Sequence, residues 1–337
     1  MKTKIFILTS LIIMSCSNDE ELNNIVNNDI DVYAAGSLNG NASYWKNSEQ
    51  ITLENDGFSN TYASGIFVTE SNTYLLGSAS VNQNENPEEN NPNLFWENGV
   101  VTNLNLEFNE PDFEVFRIND FYVYNDDVYF VGTLKNLSNP SEFNLVYWKN
   151  GVKTVMLENI DGFCSSYIRV LNDEVYVFYS DNTINGVQGL IVNNTFNPIS
   201  SVYGAAKMET NENEVYIYGQ FPNSTNGYYY NFNTGIETTT PYFVNELDFD
   251  QNDVYTLALY SGGSFLEEIL KNNIAYYQAN EDFIIDSFEM YNGDLYLIER
   301  NFDGQQTLFA NNIPLVTLDN ADVLGNNFIN SIYVFQN

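Results

Sequence analysis

Seven residues at matching positions of a repeat could do chemistry together. Six of them stand seven residues before a tyrosine that recurs along the chain, and the seventh lies in the C-terminal segment. Nearly all of their immediate neighbours are apolar, so period-two alternation predicts that the seven side chains share one face of their strands. These candidates are Phe67, Tyr122, Arg169, Glu209, Asp248, Glu289 and Tyr333.

One arginine, three carboxylates and three aromatic rings that face a common channel could hold a sugar or a cation. The alternative is a solvated channel in which Arg169 only balances the acids around it. A third interpretation makes the chain a glycan-degrading enzyme that uses two carboxylates among Glu209, Asp248 and Glu289. Glycoside hydrolysis needs carboxyl groups about 5–5.5 Å or about 6.5–9.5 Å apart, and a sequence does not provide that separation.

Several other chemistries are excluded by composition. The chain contains no histidine, which excludes Ser-His-Asp and Cys-His catalysis and every metal site with a histidine ligand. We therefore expect no cofactor. Calcium is the remaining hypothesis, because acids alternate along residues 248–253 as they do in calcium loops, but the segment lacks the glycine and the distal glutamate. A hairpin turn explains that segment better.

A recurring strand pattern indicates what positions the seven candidates. Seven segments contain a tyrosine followed by apolar residues, as in residues 128–132, Val-Tyr-Phe-Val-Gly. The seven tyrosines are separated by 41, 55, 47, 40, 39 and 41 residues. This is the period of a four-stranded propeller blade.

A tight turn rich in asparagine comes later in each repeat, after the tyrosine strand and one further strand. Residues 148–151, Trp-Lys-Asn-Gly, are one instance. Asn-Gly and Asn-Asn accept the positive φ angles of a type I′ hairpin turn, and a further strand follows each turn. The tyrosine strand is therefore predicted to be the second strand of a blade, and the turn joins the third strand to the fourth.

The N-terminal blade lacks a first strand, because its tyrosine strand opens the predicted domain. Residues 331–335, Ser-Ile-Tyr-Val-Phe, supply a matching segment. We expect this segment to close the ring by joining the N-terminal blade, which leaves no open sheet edge. The predicted fold is all-β, a seven-bladed β-propeller of four-stranded blades that spans residues 30–337.

The predicted strand order resembles that of kelch-like propellers. The kelch double glycine is reduced to a single glycine at Gly36, Gly77, Gly132 and Gly219, so the resemblance assigns no functional residue. The repeats also resemble those of surface lipoproteins of Bacteroidetes. That resemblance implies a location in the cell envelope and nothing about activity.

The first fifteen residues are predicted to be a signal peptide. A basic start and a short apolar run are typical of secretory signals, and the run is far below the roughly 20 residues that cross a bilayer. Residues 13–16, Ile-Met-Ser-Cys, resemble the lipobox of bacterial lipoproteins, which implies cleavage before Cys16 and a lipid on its thiol. Residues 16–29 then form the lipidated cysteine and an acidic linker, whose residues 17–21 resemble the tract of surface-exposed lipoproteins in Bacteroidetes. A plain signal peptide and an ordinary linker are the alternatives.

Strand direction assigns the loops to two faces. First-to-second and third-to-fourth turns share what we call the tight-turn face. Second-to-third loops and blade connections share the opposite, long-loop face, where residues 82–89, 107–114, 136–140 and 279–282 lie. Because loops on a rigid scaffold often carry function, the long-loop face is a second candidate surface, although such loops can also be tolerated insertions.

The formal net charge of −34 limits the classes of partner. Such a charge repels nucleic-acid phosphates and anionic membrane surfaces, so we expect no nucleic-acid partner and membrane attachment only through the lipid. The leading hypothesis is a monomeric surface lipoprotein of the outer membrane that binds a glycan or a protein without catalysis. A carboxylate-dependent glycan-degrading enzyme and a structural or adhesion protein are the alternatives.

Overall fold

The computed structural model describes residues 30–80, 91–161, 164–181, 187–199, 204–259, 267–319, 321 and 327–337. These residues form 28 β-strands and one four-residue helix, and none of them forms a helix with the length and hydropathy of a membrane span. The elements, in chain order, are β1 (Ile30–Leu38), β2 (Asn41–Lys46), β3 (Glu49–Thr52), β4 (Thr61–Val68), β5 (Thr73–Ala79), β6 (Asn93–Glu97), β7 (Val100–Asn103), α1 (Leu104–Glu107), β8 (Phe113–Tyr124), β9 (Asp127–Asn136), β10 (Glu142–Lys149), β11 (Val152–Asp161), β12 (Cys164–Leu171), β13 (Glu174–Asp181), β14 (Gln188–Val192), β15 (Thr195–Ile199), β16 (Gly204–Thr210), β17 (Val215–Gln220), β18 (Gly227–Asn231), β19 (Ile236–Thr240), β20 (Phe243–Asp250), β21 (Asp253–Leu259), β22 (Glu267–Lys271), β23 (Ile274–Gln278), β24 (Phe283–Tyr291), β25 (Asp294–Asn301), β26 (Gln306–Ala310), β27 (Ile313–Leu318) and β28 (Asn327–Gln336).

The strands form seven antiparallel sheets of four, which confirms the predicted seven-bladed β-propeller. Blades 2 to 7 each take four consecutive strands, beginning with β4, β8, β12, β16, β20 and β24. Blade 1 has the order β28-β1-β2-β3, so its innermost strand comes from the C-terminus. The predicted closure is therefore confirmed: β28 pairs with β1 from Ile30↔Gln336 to Leu38↔Asn327.

The hydrophobic core lies between neighbouring blades. Seven clusters of buried side chains each join two adjacent sheets. Between blades 2 and 3, Trp148 is almost fully buried, and Phe108, directly after α1, stacks on it with ring centroids 4.6 Å apart. Because these aromatic and aliphatic contacts fill every blade interface among the described residues, the ring is a rigid frame for the side chains at its centre.

The repeated sequence signature corresponds to a repeated contact. In blade 3, Lys149 lies 2.7 Å from the carboxylate of Asp127 and 5.2 Å from the centroid of the Tyr129 ring. The side chain of Asn150 accepts a hydrogen bond from Val128 N and donates one to Asp127. The same ion pair and ring contact recur in blades 1 and 6. The repeated signature therefore stabilises the hairpins of the tight-turn face. The lysines of blades 1, 3 and 6 already have an acidic partner.

Two of the single glycines have a steric explanation. A Cβ atom at Gly77 would lie 1.9 Å from Tyr62 O, and one at Gly132 would lie 2.2 Å from Arg117 O. In both places the innermost strand bulges toward the tyrosine strand, and only glycine permits that approach. The glycine that resembles part of the kelch pattern therefore accompanies a bulge near the long-loop face.

Candidate functional site

All seven candidate channel residues occupy the same register position. Each lies directly opposite the tyrosine of its blade, as in Arg169↔Tyr176, Asp248↔Tyr255 and Tyr333↔Tyr33. All seven are partly exposed, and most of their strand neighbours are buried. Since these residues stand on the innermost strand of every blade, the structure brings all seven to one level of the central channel.

Aromatic rings form one wall of the channel. Phe67 lies between Tyr333 and Tyr122, with ring centroids 4.9 Å and 5.6 Å away. Blades 1 to 3 therefore provide a continuous aromatic surface. It ends at Arg169, whose guanidinium carbon lies 5.4 Å from the centroid of the Tyr122 ring.

Arg169 is already neutralised by two carboxylates. Its Nε and Nη2 donate to the two oxygens of Glu209 at 3.0 and 2.8 Å, and its Nη1 donates to Asp120 at 2.8 Å. Only 14 % of its side chain is exposed. Such bidentate, charge-assisted pairs are among the stronger hydrogen bonds in proteins. The arrangement corresponds to the alternative in which Arg169 balances the acids around it.

The other channel acids join neighbouring blades. Asp248 and Glu289 accept hydrogen bonds from the backbone N–H groups of Met290 and Val334, each on the innermost strand of the next blade. An innermost strand is an edge strand, because no further strand pairs with its channel side. Its free N–H groups need acceptors. The acids on the preceding blade satisfy them.

Sequence counting missed three charged residues of the channel, which lie one step away on the same strand faces. Asp120, Lys207 and Glu246 each stand two residues before a candidate. Lys207 Nζ donates to Asn245 O at 2.8 Å, and Glu246 accepts from Ser287 Oγ at 2.9 Å. Extending the period-two alternation by one more step toward the start of each strand would have found all three.

Burial and mutual repulsion keep protons on the acidic wall of the channel. Burial, together with the charges of Glu209 and Glu246, raises the pKa of Asp248 to about 7. Burial raises the pKa of Glu246 to about 7 as well. For Glu289, burial and then the charge of Asp248 hold the pKa well above its usual range. The wall is therefore only partly ionised near neutral pH.

A cavity of about 900 Å³ opens where the channel meets the tight-turn face, and its volume is within the range of about 300 to 1,000 Å³ that is typical of small-molecule sites. We call it the channel-mouth cavity. Tyr122 and Asp248 of the candidate set line it, together with Tyr124 and Phe249. Hairpin residues of blades 5 and 6 complete its wall, among them Asn211 and Asn252.

The segment considered for calcium forms part of a hairpin. Asp250 and Asp253 are the last pair of strands β20 and β21, and residues 251 and 252 make the turn. Asp250 accepts a hydrogen bond from Gly293 N at 2.8 Å, and Asp253 pairs with Lys271 at 2.7 Å. These acids therefore have partners in the fold.

Three other predicted features lie outside the described residues. Cys16, the acidic tract at residues 17–21 and the loop at residues 82–89 are all in undescribed segments. Cys164 is described, and it is a buried free thiol at the start of β12.

Comparison with known proteins shows the fold and no family. No family model matches the sequence, and no curated protein matches it significantly. A structure from a study of two prolyl endopeptidases is similar at 9% identity and a TM-score of 0.54, over 94% of this chain and 52% of that chain. A dihydro-heme d1 dehydrogenase is similar at 10% identity and a TM-score of 0.50, over 88% of this chain and 64% of that chain. The chain thus spans about half to two thirds of these proteins, and the likeness extends to the propeller fold alone.

Proposed function

We propose that the chain is a non-enzymatic, glycan-binding lipoprotein of the cell envelope whose ligand enters the channel-mouth cavity. The observation that carries this proposal is the lining of that cavity. Two tyrosines, Tyr122 and Tyr124, stand beside amide and carboxylate groups, and no lysine or arginine is among the described residues that line the cavity. Aromatic faces with hydrogen-bonding oxygens suit a neutral, hydroxylated ring.

Binding accounts for the channel acids better than hydrolysis does. Glu209 holds Arg169 with both oxygens, and Asp248 and Glu289 hold backbone groups of the next blade. A catalytic acid or nucleophile must instead reach the substrate within hydrogen-bonding distance. The fold already uses the three acids that made the enzyme hypothesis attractive.

The binding proposal is tested at Tyr124, which lines the cavity. We expect Tyr124→Ala to weaken binding of a neutral glycan at least tenfold, because the ring that packs on the sugar is removed. The measurement is a glycan array followed by calorimetry with the strongest neutral glycan bound by the wild type. Tyr276→Ala is the matched control, since Tyr276 is an exposed tyrosine elsewhere on blade 6. A wild type that binds no neutral glycan, or a Tyr124→Ala variant of unchanged affinity, contradicts the proposal.

The proposed anchor is a lipid on Cys16, as the lipobox-like residues 13–16 suggest. The acidic residues that follow support a position on the outer surface of the outer membrane, as their resemblance to the Bacteroidetes tract implies. This part of the proposal is independent of the ligand.

Changing Cys16 to Ala is expected to abolish lipid attachment. The thiol that would carry the lipid is removed, so metabolic labelling with a fatty-acid analogue should fall to background and the protein should appear soluble or uncleaved. Cys164→Ala serves as the control, because the only other cysteine is buried. Label that persists in the Cys16→Ala protein would show that the anchor is elsewhere.

A further inference from the structure

A second cavity lies on the long-loop face, between blades 2 and 3. Its volume is about 500 Å³, within the range of small-molecule sites. Starts of the innermost strands β4 and β8 and the facing ends of β5 and β6 provide its lining. We call it the long-loop cavity.

Arg117 is the charged residue of the long-loop cavity. It is exposed and forms no ion pair with any described residue, whereas Arg169 and Arg300 each pair with carboxylates. In a chain with a formal net charge of −34, acids are abundant and five lysines also have acidic partners. No acid among the described residues therefore competes with an anionic ligand for the guanidinium of Arg117.

The position of Arg117 is set by an irregular strand. Two bulges interrupt the pairing of β8 with β9, one just before Arg117 and one just after Ile118. Bulges redirect side chains and are frequent beside binding sites. Gly132 lets the backbone of Arg117 approach β9 closely, so the local sequence of both strands supports this geometry.

Two further polar residues, Ser78 and Asn119, line the same cavity. The Oγ atom of Ser78 is buried without a hydrogen-bond partner among the described residues, and the residue lines the cavity. The amide of Asn119 is oriented by its donations to Cys164 O and Ser166 Oγ, which leaves its carbonyl oxygen as an acceptor. Tyr62 and Phe116 add aromatic surface. A buried hydroxyl without a partner is unfavourable, and a ligand hydroxyl that reached it would satisfy it.

We propose that the long-loop cavity binds a uronate, a sugar unit that carries a carboxylate. Arg117 would hold the carboxylate through two parallel hydrogen bonds, the geometry that guanidinium and carboxylate groups share. Ser78 and Asn119 would bind ring hydroxyls, and Tyr62 and Phe116 would pack against the apolar face of the ring. This site is separate from the channel-mouth cavity and goes beyond the function proposed above.

The net negative charge of the chain does not remove this selectivity. None of the described residues that line the long-loop cavity is acidic. At physiological ionic strength the Debye length is about 8 Å, so the adjacent guanidinium outweighs exposed acids farther away. The channel-mouth cavity has the opposite character, because Asp248, Glu212 and Glu214 line it.

The experiment compares charged and neutral forms of the same ligands. Short oligosaccharides of galacturonate, glucuronate and mannuronate, each with its methyl ester, are titrated into the full chain by calorimetry. We expect at least one acid form to bind ten times more tightly than its ester. Arg117→Gln should weaken binding of that acid form at least tenfold, and Arg117→Lys should retain part of the affinity. Since Arg117 has no ion pair with a described residue to lose, the melting temperature should stay unchanged.

The controls separate the two cavities. Tyr124→Ala should leave uronate binding unchanged, and Arg117→Gln should leave neutral-glycan binding unchanged, so each proposal can fail without the other. Equal binding of acid and ester, unchanged uronate affinity in a folded Arg117→Gln variant, or no uronate binding at all would overturn the inference. Binding of an acidic peptide of glutamate residues without binding of any uronate would overturn the assignment to a sugar.

Discussion

We expect Arg169→Met to lower the free energy of unfolding by about 3–5 kcal/mol, the cost of breaking a buried ion pair by removing one partner. The arginine contacts Asp120 and both oxygens of Glu209. Its loss leaves two carboxylates facing each other in a channel where less than a third of either side chain is exposed. Urea unfolding monitored by tryptophan fluorescence and far-ultraviolet circular dichroism measures the change.

The cause of that loss is tested by removing the acids as well. Adding Asp120→Asn and Glu209→Gln to Arg169→Met should restore most of the stability, because no unpaired charge remains. Arg300→Met is the matched control and should cost less, since Arg300 pairs with the one carboxylate of Asp286 and more of its side chain is exposed, 24 % against 14 % for Arg169. A small effect of Arg169→Met, or a triple variant no more stable than the single one, would show that the charges are not balanced in this way. The hypothesis that the channel residues hold a sugar or a cation stays a prediction, and a ligand of Arg169 would have to displace these acids.

The protein should become more stable as the pH falls from about 8 to about 5. In the folded chain the pKa values of Asp248 and Glu246 are raised to about 7, and that of Glu289 is raised further by burial and by Asp248. The folded state therefore keeps protons that the unfolded chain has already released. Stability is greatest at low pH and is lost as the pH rises through the folded-state pKa values of these acids. At about 1.4 kcal/mol for each unit of pKa difference, the combined effect should reach a few kcal/mol after screening in the open channel.

Amide variants identify the groups responsible for the pH dependence. Asp248→Asn and Glu289→Gln keep an acceptor for the backbone N–H groups but cannot ionise. Each should therefore raise stability at pH 8 and reduce the slope of stability against pH. Asp303→Asn, which removes a charge from an exposed turn, should leave the slope nearly unchanged and controls for the net charge. Melting temperatures that rise with pH between 5 and 8, or amide variants with the wild-type slope, would contradict this account.

The central level of the channel could be predicted from sequence because it depends on short-range pairing. Tight turns of fixed length join each innermost strand to its tyrosine strand, and turn geometry sets the register of a hairpin. Counting back from Tyr176 therefore identifies Arg169 as the residue opposite it. The ring closure was predictable for a related reason, since the missing strand of blade 1 left one segment, β28, to supply it.

Contacts between blades could not be predicted by the same counting. Asp120 and Arg169 are 49 residues apart and stand on different sheets, so no local turn relates them. Their approach depends on the twist of each blade and on how the side chains between blades pack. The partners of Asp248 and Glu289 are backbone atoms of the next blade, for which no side-chain pattern exists.

The sequence by itself determined the all-β class, the seven blades, the closing strand and the ring of residues opposite the tyrosines, because repeats and hairpin registers are local properties. Only the tertiary structure decided which charges are already paired and which are free. Arg169 has acidic partners and Arg117 has none among the described residues. Both are arginines on innermost strands, and their different environments arise from the packing of blades against one another and from two bulges in β8. Sequence spacing alone does not encode either feature.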